Sequence, residues 1–170
     1  MKWINFLANI QCIMHKLFFL VLLILLSVPY AYADDIGYKH YQKGEYYKAL
    51  KIWEEEALLG KNEAYYNIGL LYFFGQGVEK DLPLAFNYCK KAALGGSARA
   101  QNNLSYMYLK GLGVTKDYIE AYAWSLVAIS NKYNSRRLNN ESKKYLTPAM
   151  LYDAKMLAIK YKKEIKWIVK

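Results

Sequence analysis

The stretch YFFGQGVEKD, Tyr72 to Asp81, returns as YLKGLGVTKD from Tyr108 to Asp117, with both glycines, the valine, the lysine and the aspartate in register. The same slide of 36 residues superposes Ala64 on Ala100, Ile68 on Leu104, Ala85 on Ala121, Tyr88 on Trp124 and Ala92 on Ala128. Slid the other way, it sets Ala49 under Ala85, Ala57 under Ala93 and Gly60 under Gly96. A period of this size means that each unit is one supersecondary element, able to bury its apolar face only by stacking on a neighbour. The fold must therefore be an array.

Within each unit the apolar spacing is helical. Ala64, Ile68, Leu71 and Tyr72 share one face of a first helix, and Leu82, Ala85, Phe86, Cys89, Ala92 and Ala93 follow the i, i+3, i+4, i+7 rhythm of a second. Helices of about 12 to 15 residues are marginal alone in water, so stability must come from stacking. Gly75 falls where the first helix stops, suited to a left-handed C-terminal cap. Gly77 lets the backbone turn back, Val78 gives the turn an apolar plug, Asp81 caps the second helix, and Pro83 sits in its first turn. A phosphate-cradling loop would instead follow a strand and carry its lysine directly behind the last glycine. Here a helix precedes the glycines, and Val78 and Glu79 intervene before Lys80.

The organisation expected is an incomplete opening unit at 34–60, with a short helix stopped at Gly44 and a partner from Glu45 to Leu59. Full repeats follow at 61–96 and 97–132, and a basic helical cap at 133–170. Thr147 and Pro148 start the last helix, which buries Met150, Leu151, Ala154, Leu157, Ala158, Tyr161 and Ile165 and turns Lys155, Lys160, Lys162, Lys163 and Lys166 outward.

The pattern A-x-x-N-[IL]-[GS]-x-x-Y-x-x-G-x-G-V-x-x-D-x-x-x-A-x-x-[YW]-x-x-x-A, at 64–92 and 100–128, resembles the Sel1-like repeat, a relative of the tetratricopeptide repeat. The closing YLTPAMLYDAKMLA looks like the final helix of many such bacterial proteins. The chain departs from the usual pattern at Ser105, where glycine is common, and in its first unit, which lacks the GxGV turn. The resemblance implies an all-α fold: an α-solenoid of antiparallel helix pairs that binds other proteins, with the first helix of each pair lining the concave side and a C-terminal capping helix.

Residues 1–33 read differently. Leu17 to Val28 is an apolar run of 12 residues, shorter than the roughly 20 a membrane-spanning helix needs, and it is followed by Ala31-Tyr32-Ala33. A secretory signal peptide cut before Asp34 is expected, and with it a periplasmic or secreted protein; a start at Met14 would give a signal of more ordinary length. Of the 24 Lys and Arg, Lys2 and Lys16 leave with the signal, so 22 face 14 acids, a net charge of +8. Residues 34–130 hold 11 basic and 11 acidic side chains, and the whole excess lies in the last 40 residues.

An enzyme needs a constellation, and none assembles. Past residue 33 there is one histidine, His40, and one cysteine, Cys89, in different units. They are too few for a Cys-His pair or a His-rich metal site unless they meet, and Cys89 reads as a small buried hydrophobe. Glu54, Glu55 and Glu56 spread around a helix as a solvated face. No catalytic residue, metal or cofactor is expected. A cell-envelope hydrolase using concave-face carboxylates is the alternative; Sel1-like proteins linked to cell-wall or β-lactam chemistry carry paired cysteines in each repeat, which this chain lacks.

A binding surface is easier to place. Tyr66, Asn67, Leu70, Phe73 and Phe74 in one unit, and Asn102, Asn103, Tyr106, Leu109 and Lys110 in the next, lie off the packing stripe of the first helices. Asn67 and Asn103, one period apart, offer amides that both donate to and accept from a bound backbone, or else serve the repeat structurally. The expected partner is a protein or peptide held by a monomer. The basic cap, with Arg136, Arg137, Lys143 and Lys144, faces an acidic partner, an anionic membrane or only water. Nucleic acid is not expected for an exported chain.

Overall fold

The structure is a computed structural model that describes residues 36–168. The expected signal peptide lies outside the described residues. Eight helices and no strand occur among the described residues: α1 (36–42), α2 (Tyr46–Leu58), α3 (Asn62–Phe74), α4 (Leu82–Leu94), α5 (Ala98–Lys110), α6 (Tyr118–Ser130), α7 (Arg136–Lys143) and α8 (Pro148–Ile168). Each of α2 to α6 is 13 residues long. Successive helices pack in sequence from α2 to α6, and α6 carries both α7 and α8, which close the array as an α-solenoid of antiparallel pairs.

The two glycines of the repeated turn do different work. Gly75 and Gly111 take the left-handed conformation at the ends of α3 and α5, with φ of 69° and 70°. Gln76 and Leu112 then donate back to the carbonyls of Leu71 and Met107, each at 2.9 Å, so the final turns are closed by backbone alone. Gly77 and Gly113 also have positive φ, and they touch the unit before. A Cβ on Gly77 would stand 2.6 Å from that of Tyr46, and one on Gly113 would overlap the Leu82 carbonyl. Tyr46 and Leu82 open α2 and α4, so the second glycine is where each turn rests on the preceding hairpin. Asp81 then accepts from the Leu84 amide, and Asp117 from the amides of Ile119 and Glu120.

The core runs along the array in two clusters. The first joins α2 to α3 through Trp53, Ala64, Ile68 and Leu71; the second joins α4, α5, α6 and α8 through Phe86, Leu104, Trp124, Val127 and Ile165. Full burial of each large apolar side chain stabilises by about 1.5–3 kcal/mol, which the short helices need. Alanine fills the close crossings: Ala49, Ala92, Ala93, Ala100, Ala121 and Ala128 are wholly buried.

Three expectations change. Glu56 is not solvated: it is 5% exposed and pairs with Lys61 at 3.1 Å, because its position on α2 turns it toward α3. Leu109 is not on a free face; it is 3% exposed in the cluster that includes Leu138, since α7 lies over the end of α5. The cap holds a short additional helix, α7, fastened by Asn139 donating to Ser125 Oγ at 2.8 Å. Its last helix buries Ala154, Ala158 and Ile165 and exposes the five lysines as expected, whereas Met150, Leu151, Leu157 and Tyr161 are only half-buried.

Candidate functional site: a groove along the first helices

Two adjoining clefts run across α1, α3 and α5 and share Tyr66 and Leu70 as walls. The cleft between α3 and α5 holds about 170 Å³ and is apolar. Leu70, Phe73, Phe74, Tyr106 and Met107 form its sides, and Gly69, Ala85 and Cys89 its floor. Gly69 sets that depth: a Cβ there would sit 3.3 Å from the Ala85 carbonyl and 3.4 Å from the Cys89 amide, so α3 lies directly on α4. Cys89 is 5% exposed and donates to the Ala100 carbonyl at 3.2 Å; burial pushes its thiol up to about 12. It behaves as the small buried hydrophobe expected, and no disulfide forms among the described residues.

The cleft between α1 and α3 is larger, about 380 Å³, and more polar. Tyr38, Tyr41, Trp53, Glu56, Glu63, Asn67 and Arg99 surround it. Arg99 lines this cleft and stacks on the wall it shares with the first. Its guanidinium donates to Glu63 Oε2 at 2.8 Å and 3.2 Å and lies 5.2 Å over the Tyr66 ring. Burial raises the Tyr66 hydroxyl above its ordinary value, the Arg99 charge opposing it, and that hydroxyl accepts from Asn103 Nδ2 at 3.3 Å. Asn103 is thereby already oriented, with its carbonyl oxygen left for another donor.

Of the residues expected to bind, Tyr66, Leu70, Phe73, Phe74, Asn103 and Tyr106 come together in the first cleft and Asn67 in the second. Phe74 is 59% exposed, the most open apolar group of the groove. Asn102 is half-buried outside both clefts, and Lys110 Nζ lies 2.6 Å from Glu141 on α7. Sequence reasoning missed Tyr38, Tyr41, Met107 and Arg99. The period offered one signal for the last: Glu63 and Arg99 are opposite charges one repeat apart.

The groove carboxylates are tied to cations, Glu56 to Lys61 and Glu63 to Arg99, and His40 pairs with Glu45 rather than with Cys89. Among the described residues, no group of three or more His, Cys, Asp or Glu is placed to hold a metal ion. No described helix is long and apolar enough to cross a membrane.

A family model described as the Sel1 repeat matches residues 62–97 and 98–133. The chain carries Sel1 repeats. Solved Sel1-type structures bear this out. One, a protective antigen present in uropathogenic Escherichia coli strains and displaying an SLR fold, is 31% identical with a TM-score of 0.74, over 78% of this chain and 30% of that one. A second, a Sel1 repeat protein from Oxalobacter formigenes, is 31% identical with a TM-score of 0.55, over 59% of this chain and 43% of that one. The Sel1 array described here therefore spans less than half the length of either relative. No curated protein matches the sequence. Sel1 repeats are in general protein-interaction modules, and their fold is typically a non-catalytic scaffold.

Proposed function

We propose that this Sel1-repeat protein is a non-catalytic adaptor of the bacterial envelope, periplasmic or secreted, that docks a segment of a partner protein in the groove along α1, α3 and α5. The observation that carries it is the shared wall of the two clefts. Tyr66 and Leu70 stand between an apolar slot and a polar one, so a single extended segment passing over them meets an anchor site and a hydrogen-bonding site in succession. Aromatic side chains supply contact area there at low conformational cost. Asn103 and Asn67, one in each slot, are suited to the backbone of that segment, and the cations around α7, Arg136, Arg137, Lys143 and Lys144, orient an acidic partner during encounter. Export rests on the apolar run at 17–28 and the Ala31-Tyr32-Ala33 site.

The test is capture of a partner from envelope extract by the wild type and by an Asn67→Ala, Asn103→Ala variant whose circular dichroism is unchanged. Selective loss of one captured protein by the variant supports the adaptor. Wall-degrading activity abolished by Glu56→Gln or Glu63→Gln alone would replace it with the hydrolase. Cell fractionation with N-terminal sequencing tests export, Asp34 being the expected first residue.

A further inference from the structure

The last helix has an outer face that neither the groove nor the solenoid's packing uses. Tyr152, Met156 and Ile159 follow one another at i, i+4 and i+7 on α8 and are 65%, 48% and 46% exposed. At about 1.5 Å of rise per residue they form an apolar row roughly 10 Å long, directly opposite the buried Ala154 and Ala158. Lys163 continues the row. Along one edge run Lys155, Lys162 and Lys166, spaced by seven and four residues and so aligned on a single flank. The other edge is mixed, with Asp153 and with Lys160 3.9 Å from Glu164. Among the described residues, Lys155, Lys162, Lys163 and Lys166 join no ion pair. Residues 131–170 as a whole hold 11 basic side chains against 3 acidic ones.

We propose that this face of α8 seats the protein on an anionic phospholipid surface. A convex helix bearing a short apolar row beside a lysine edge matches a plane of negative headgroups over a hydrocarbon boundary: the row enters the boundary while the lysines remain among the headgroups. A groove-seeking peptide finds no concavity there. The helix lies on the surface and does not cross it, since five lysines between 155 and 166 interrupt its apolar residues and leave no stretch long enough to span. One-sided charge rolls α8 toward its Lys155 edge. Binding of this kind weakens with salt, because it draws on exposed charges.

The test uses the full chain carrying Cys12→Ser and Met156→Cys, with a polarity-sensitive fluorophore on the introduced thiol. Cys89 is buried and stays protonated, so it does not take the label. A second chain carries the label through Asn87→Cys, on the exposed side of α4. Vesicles of mixed phosphatidylglycerol and phosphatidylcholine should shift the probe at 156 toward the blue and leave the probe at 87 unmoved. Pure phosphatidylcholine should shift neither probe. Changing Lys155, Lys162 and Lys166 to Glu should weaken the partition at least roughly tenfold, as should raised salt. Vesicle association with the 156 probe unshifted would place the contact elsewhere in the chain and overturn the proposal. A blue shift produced by soluble polyglutamate but not by anionic vesicles would overturn it in favour of an acidic protein partner.

Discussion

Ser105 Oγ donates to the Ala121 carbonyl at 2.7 Å, at the place where Gly69, one repeat earlier, lets α3 close onto the Ala85 carbonyl. The two units solve one steric problem in two ways. In one, the side chain is absent; in the other, a hydroxyl fits the gap and uses the carbonyl that makes the gap narrow.

The pair predicts an asymmetric tolerance. Gly69→Ser, which copies the second unit, should cost no more than about 1 kcal/mol, the worth of one net hydrogen bond set against slight crowding. Gly69→Val, whose branched carbon must push against the backbone of α4, should cost about 1–3 kcal/mol or more. Urea denaturation of the two variants measures this. Equal losses would mean that the crossing is looser than its distances suggest.

Gly113 and Gly60 separate strain from collision. Both have positive φ, 71° and 79°, but a Cβ on Gly60 meets nothing within 4 Å whereas one on Gly113 overlaps Leu82. Gly60→Ala should cost about 1–2 kcal/mol, the price of a left-handed L-residue. Gly113→Ala should cost clearly more, because a turn must also lift from the hairpin before it. The comparison of their unfolding free energies is the check.

Gly60, Gly96 and Lys132 hold the same place in successive units, and all three have positive φ, 64° at Lys132. Tyr133 still donates to the Ala128 carbonyl at 3.0 Å, as Ser97 does to Ala92, so the last unit keeps the turn without the residue suited to it. Lys132→Gly should stabilise by about 0.5–1 kcal/mol, after the greater flexibility of glycine in the unfolded chain is offset. A rise of about 2–4 °C in Tm is expected. A fall in Tm would show that the lysine side chain contributes more than its backbone costs.

Glu120 gives the stability a pH signature. Burial holds its carboxyl above the ordinary 4.5, although the Tyr161 hydroxyl donates to both carboxylate oxygens at 2.9 Å and 3.0 Å and acts the other way. The folded chain thus binds this proton more tightly than the unfolded chain. Between 4.5 and the raised folded value, its contribution to stability falls as pH rises. Glu120→Gln removes that slope. The stability of the variant relative to the wild type should therefore increase from about pH 4 to about pH 7, measured by urea titration. Glu45 and Glu141, whose carboxyls are held low by His40 and Lys110, slope oppositely but are common to both proteins. An offset that does not vary with pH would refute the assignment.

The periodic part of the architecture was legible because each repeat states it again. The caps at Gly75 and Asp81, the buried faces of α3 and α4 and the start of α8 all follow from residues that recur or from strong local signals. What was hidden depends on which neighbour a unit has. Phe73 and Leu109 are equivalent by register, yet Phe73 lines a cleft while Leu109 is buried, because only α5 has α7 lying against its end. The sequence of α7, RRLNNESK, has a single large apolar residue, Leu138, and offered too weak a period to read. Glu56 looked like one of three solvated acids until α3 brought Lys61 beside it. In the groove, the expected aromatic and amide side chains were found along α3 and α5, but α1 and Arg99 complete it from positions that only the stacking brings near.

Because each second glycine leans on the start of the second helix of the preceding hairpin, and every full hairpin offers its successor the same footing, the rule for attaching a unit is written inside the unit. A 36-residue block copied between α4 and α5 would meet a familiar surface on both sides. Such a chain can lengthen by duplication without inventing a new joint, and its groove would lengthen with it.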